Sequence, residues 1–166
     1  MNNLSSTVKG LITGLLMIVS STLIFKSQRS FENNLQYITY AIFVGGIIWT
    51  LVTYHRSASE KKKFKHYFSE GFKCFVVVTL LMVIFTYAFL QMNPSLKEEM
   101  AANYRSDLIK KGNYTPDEIE EMVKKAKQYF VTMLTSMTVF GYLVIGSLVT
   151  AITSAFMIQK NNPAKI

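Results

Sequence analysis

The sequence holds a single cysteine, Cys74, so no internal disulfide can form and the thiol says nothing about redox compartment. Charge is scarce: 17% of residues are charged, against roughly 25% in an ordinary soluble domain. Four stretches hold none at all, Gly10–Phe25, Asn33–His55, Cys74–Leu96 and Gln128–Gln159. No serine stands in a nucleophile-elbow context and no glycine-rich phosphate loop occurs. No carboxylate or basic group falls at mid-depth in any of the four runs, which excludes an ion or proton relay built on such groups, though hydroxyls and backbone remain able to line a path.

What is present is apolar length. A spanning helix needs about 20 mostly apolar residues, because roughly 30 Å of hydrocarbon is crossed at 1.5 Å per residue. The runs predict four spans, at about 7–25, 35–54, 74–92 and 132–158, in a single domain over 1–166. The fold class expected is an all-α membrane protein with four transmembrane helices and an extramembrane helical hairpin between spans 3 and 4. Lys9 precedes an apolar run as in a signal peptide, but Thr22-Leu23-Ile24-Phe25 carries that run past any cleavage point, so the segment reads as a retained span. Lys9 and Lys26 sit at its ends, where long stems are expected to snorkel toward headgroups. Tyr37, Tyr40, Trp49 and Tyr54 are placed as interfacial anchors of span 2.

The formal charge of +8 is not a nucleic-acid signature here, because the excess collects in a loop between two spans. The His55–Lys73 loop carries Arg56, Lys61, Lys62, Lys63, Lys65 and Lys73. In its second half Phe64, Phe68, Phe72 and Phe75 share one helical face, while Lys62, His66, Ser69 and Lys73 take the other. A short interfacial helix is expected, with Gly71 weakening it slightly. Lys61, Lys62, Lys63, Lys65 and Lys73 are the candidate contacts to anionic headgroups, and a solvated, cytoplasm-retaining charge run is the plainer reading.

The loop Asn93–Tyr129 differs in kind. Asn93-Pro94 starts a helix in which Leu96, Met100, Tyr104 and Leu108 recur every four residues, and Lys111-Gly112-Asn113 stops it. Thr115-Pro116-Asp117-Glu118 restarts one with a capping box, and Ile119, Met122, Val123, Ala126, Phe130 and Met133 form an apolar stripe. No breaker follows, so Pro116–Ile158 reads as one helix about 65 Å long, its first part in water and antiparallel to Pro94–Lys111. The hairpin over 94–131 is the place for a partner, with Leu96, Met100, Tyr104, Ile119, Met122 and Val123 as candidate contacts.

Basic residues divide nine to nine between the two sides. The compact Lys61–Lys65 cluster outweighs a hairpin that dilutes its charges over a long excursion, which places both termini in the cytoplasm and the hairpin outside. Two weak site readings remain. His55, His66 and Cys74 match no familiar zinc spacing and lack a fourth ligand. Glu70 with His66 or Lys73 is the one acid/base candidate for an enzyme acting on lipid. No catalytic residue, metal or cofactor is expected. The small residues Gly10, Gly14, Gly45, Gly46, Gly141, Gly146, Ser147, Ala151 and Ala155 mark close helix approach, inside one subunit or at a homo-oligomer seam, the former being preferred.

Several segments together resemble a known family. They are Gly45-Gly46-Ile47-Ile48 ending span 2, Phe68-Ser69-Glu70-Gly71-Phe72-Lys73 entering span 3, the Pro94-led charged hairpin, and the Gly- and Ser-rich last span closing on Lys160. This pattern resembles the DUF4199 family of four-span membrane proteins of Bacteroidetes, with Gly71 where that pattern has alanine. The resemblance implies an inner-membrane location and gene neighbourhood with a membrane glycosyltransferase acting on polyprenyl phosphate. It implies no activity. The function expected is a non-catalytic accessory or scaffold subunit of an inner-membrane assembly. The alternative is a small oligomeric transporter or lipid-translocating protein. Expected partners are the bilayer, another membrane protein or a second copy, and anionic lipid, but not nucleic acid.

Overall fold

The computed structural model describes residues 4–26, 36–57 and 63–161. Five helices follow in order: α1 (Ser6–Lys26), α2 (Gln36–Arg56), α3 (Phe64–Met92), α4 (Pro94–Lys111) and α5 (Pro116–Asn161), with no strand among the described residues. Four of them, all but α4, are long and apolar enough to cross a membrane. The all-α, four-span architecture follows from the charge-free runs, because in hydrocarbon a helix satisfies every backbone group internally.

Contacts group the chain into two compact units, Met1–Met82 with Val139–Ile166, and Val83–Thr138. The first is a bundle of α1, α2, the start of α3 and the end of α5. Its helices meet at small residues. A Cβ on Gly10 would stand 2.6 Å from the Cys74 carbonyl oxygen of α3, one on Gly46 would overlap Thr13 of α1, and one on Gly146 would stand 2.7 Å from the Phe75 ring. Phe43, Ile47, Leu51, Tyr67, Phe75 and Val78 fill the interior. Phe43 meets Tyr142 edge-on at 5.1 Å. Buried Thr13, Thr50 and Thr79 return their hydroxyls to carbonyls four residues back on their own helices. The small-residue pattern thus divides: Gly10, Gly14, Gly46 and Gly146 are consumed inside the subunit, whereas Gly45 and Gly141 face open space.

In the second unit α4 and the start of α5 form the expected hairpin. Pro94 occupies the first turn of α4, and Gly112 ends it in the left-handed conformation (φ 68°), its amide donating to the Ile109 carbonyl. Thr115 and Glu118 close the capping box: Glu118 accepts from the Thr115 amide at 2.7 Å, and Thr115 Oγ1 accepts from the Glu118 amide at 3.4 Å. Ala101 and Leu108 of α4 pack on Ile119 and Val123 of α5, with Tyr104 and Met122 alongside.

One expectation is corrected. The basic segment does not make a separate interfacial helix: α3 runs unbroken from Phe64 to Met92. At Gly71, inside that helix, the missing side chain is the space that Thr150 of α5 occupies.

Candidate functional site

The N-terminal turn of α1, the C-terminal turns of α2 and the second turn of α3 converge on a cleft of about 190 Å³. Leu4, Ser5, Ser6 and Lys9 line it from the first, Thr53, Tyr54 and Ser57 from the second, and Glu70 from the third. Lys9 was expected to snorkel. Instead it is turned into the bundle and is 4% exposed, with Nζ 5.7 Å from the centre of the Trp49 ring. Glu70 is held from two sides: Ser6 Oγ donates to Oε2 at 2.5 Å, and Lys73 Nζ donates to Oε1 at 2.8 Å. Thr53 and Ser57 donate to the carbonyls of Trp49 and Thr53, so their hydrogens are spent within α2.

Beside the cleft, His55 Nδ1 and the hydroxyl of fully buried Tyr67 are 2.8 Å apart, and Tyr54 meets Tyr67 edge-on. Cys74 is turned into the bundle, where its sulfur lies 3.3 Å from the Thr50 hydroxyl oxygen. His66 lies on the exposed side of α3. The structure therefore does not bring His55, His66 and Cys74 together, and no group of three metal-ligating side chains occurs among the described residues. Of the two acid/base pairings, the structure joins Glu70 to Lys73, with Ser6 on its other oxygen.

Of the headgroup candidates, Lys63, Lys65 and Lys73 are exposed, and Lys61 and Lys62 lie outside the described residues. The aromatic face is present as a ladder of rings, Phe64 to Phe68 at 5.7 Å, Phe68 to Phe72 at 6.4 Å and Phe72 to Phe75 at 5.2 Å. Only Phe75 is buried by protein; Phe64 and Phe72 are 42% and 48% exposed. The bundle-facing stripe is Tyr67, Gly71, Cys74, Phe75 and Val78, about one residue round the helix from the face that the phenylalanine spacing marks. A helix buries the side that meets its neighbours, and here glycine and cysteine allow the approach that a ring would block.

On the hairpin, the candidate partner residues are mostly turned inward. Ile119 and Val123 are 8% and 5% exposed, and Tyr104 and Met122 pack against them. Leu96 and Met100 are half-buried, while Ala101, absent from the four-residue stripe, is buried. What the hairpin presents is a groove along α4 and α5, floored by Ala101 and Val123 and edged by Lys97, Glu98, Arg105, Glu120, Lys124 and Lys127. Arg105–Glu120 and Lys127–Glu98, each at 2.6 Å, bridge the helices across it.

The model of a family described as "Protein of unknown function (DUF4199)" matches residues 9–159. No curated protein and no solved structure matches the chain.

Proposed function

The chain belongs to the DUF4199 family, and on that premise we propose that it is a non-catalytic accessory or scaffold subunit of an inner-membrane assembly, docking through its extramembrane hairpin. The hairpin carries the reading. A connection between two spans takes a handful of residues, yet α4 and the first turns of α5 are capped, share a core of their own and are cross-bridged by two ion pairs. A self-supporting element holding charges of both signs in one groove suits a protein surface better than a lipid one. The proposed orientation puts the basic segment before α3 and both termini in the cytoplasm, and the assembly proposed is one built around a membrane glycosyltransferase acting on polyprenyl phosphate.

A transporter is the second reading. It draws on the buried hydroxyls of Thr150 and Ser154, which have no hydrogen-bond partner among the described residues. Native mass after mild extraction separates the two. An unlike subunit at fixed stoichiometry supports the accessory role; a homo-oligomer that alone moves lipid or solute across liposomes supports transport and ends the accessory reading.

A further inference from the structure

The cleft at the start of α1 contains a buried cation with no direct hydrogen-bond or ion-pair partner among the described residues. Lys9 is more than nine-tenths buried and lines the cleft; its recorded contact is the face of Trp49. An ammonium group carries three donors and no acceptor, and burying it unpaired is strongly unfavourable. Glu70, in the same cleft, does not answer this need through a direct bond, since its two oxygens are engaged by Ser6 and Lys73. Lys73 supplies a counter-charge to that carboxylate.

The backbone adds to the same demand. Ser5 Oγ accepts from the Val8 amide and Ser5 O from the Lys9 amide, which leaves the amides of Ser6 and Thr7 without an acceptor inside the 21-residue helix α1. They lie at the positive end of the helix dipole. The Ser5 hydroxyl hydrogen is also free to donate, since its recorded bond uses the oxygen as acceptor. A buried amine, a helix N-terminus and a hydroxyl donor thus share one opening of about 190 Å³. At about 30 Å³ per water, that holds roughly six water volumes, enough for a small polar group and not for a bulky one.

We infer that this cleft binds a phosphate group, with Lys9 as its counter-cation and Ser5 and the first turn of α1 as donors. The entrance is apolar on one side: Leu4 lines the cleft, and Val8 and Leu11 follow it as exposed positions on α1. A phospholipid headgroup and a free phosphate share the chemistry, and experiment separates them. The inference does not depend on the accessory role, because the hairpin takes no part in the site.

The only tryptophan of the chain, Trp49, is the reporter, since Lys9 lies over its ring. The full-length protein in phosphatidylcholine nanodiscs is titrated with an increasing fraction of phosphatidic acid, and separately with inorganic phosphate in solution. The expected result is a saturable change in Trp49 emission, with a midpoint raised at least tenfold by Lys9→Gln. Lys9→Arg keeps the change, and the exposed-site double variant Lys63→Gln/Lys65→Gln leaves the midpoint within twofold. Saturation by the lipid alone assigns the site to a headgroup, and saturation by inorganic phosphate alone assigns it to a soluble ligand; both support the inference. No saturable change in the wild-type protein with either probe overturns it, and so does an unchanged midpoint in Lys9→Gln. The wild-type titration stands even where Lys9→Gln fails to fold.

Discussion

Gly71 and Thr150 occupy one volume between α3 and α5: a Cβ on Gly71 would overlap the Thr150 methyl and stand 3.0 Å from its hydroxyl oxygen. Thr150 is fully buried and its hydroxyl has no hydrogen-bond partner among the described residues. Gly71→Ala should therefore destabilise the bundle by about 1–3 kcal/mol, the usual range for an overpacked core. Thr150→Ala removes both the methyl and an unsatisfied hydroxyl, two effects of opposite sign. Unfolding of the single and double variants in detergent should show Gly71→Ala/Thr150→Ala more stable than Gly71→Ala alone. Simple additivity would mean that the two residues do not share the space.

The glycines should separate by the face they occupy. A Cβ on Gly46 meets Thr13, whereas Gly45 and Gly141 face open space. Gly46→Ala is expected to lower thermal stability, while Gly45→Ala and Gly141→Ala are neutral or gain up to about 1 kcal/mol from helix propensity. Native mass measured on the same variants checks the oligomer seam. A change of oligomeric state in Gly45→Ala or Gly141→Ala would put a second copy against that face.

Ile119 and Val123 hold the hairpin core, so aspartate at either leaves a charge without a partner against Ala101 and Leu108. Hydrogen exchange should show amides of α4 losing protection by at least tenfold, with membrane insertion unchanged. Arg105→Ala and Lys127→Ala break exposed bridges and should cost less than about 1 kcal/mol each.

How much of this was legible in the sequence follows from the range of the forces involved. The spans were legible because bilayer thickness sets a length that charge-free runs display, and the hairpin because Pro94, Gly112 and the Thr115–Glu118 box act within a few residues. The buried face of α3 was not, because phenylalanine spacing marks an apolar stripe and does not say whether lipid or protein covers it. The cleft was not legible either. Ser6 and Glu70 are 64 positions apart, and a lysine one turn into a span ordinarily snorkels. A signal was there: Ser5, Ser6 and Lys9 open span 1 at the end where Trp49 and Glu70 also lie, and two serines before a lysine are more polar than a plain membrane anchor requires.

The capping box has a pH signature. The Thr115 amide and, secondarily, its hydroxyl hold the Glu118 carboxyl below the ordinary glutamate range. A carboxylate depressed in the folded state contributes stability that is present above its unfolded pKa and is lost as pH falls through the folded value. The start of α5 should therefore loosen at acid pH, below the ordinary glutamate range. An NMR titration should give Glu118 a midpoint below that of a model glutamate, moved part of the way back by Thr115→Val, which removes the hydroxyl and keeps the amide.

The proposed topology has a direct test by accessibility labelling. In a Cys74→Ala background, Ser57→Cys should react from the cytoplasmic face and Asn113→Cys from the opposite one. The reverse pattern would overturn the charge weighting while leaving the four spans.

The accessory role is tested most directly by photo-crosslinking in intact cells from the hairpin groove. A photoreactive residue at Ala102 or Lys124, both exposed along α4 and α5 beside the Arg105–Glu120 bridge, should capture one unlike membrane protein. Capture should be lost with Ile119→Asp and retained when the label is combined with Lys63→Gln. Crosslinks only to lipid or to a second copy of the chain, or capture that survives Ile119→Asp unchanged, would contradict docking through the hairpin.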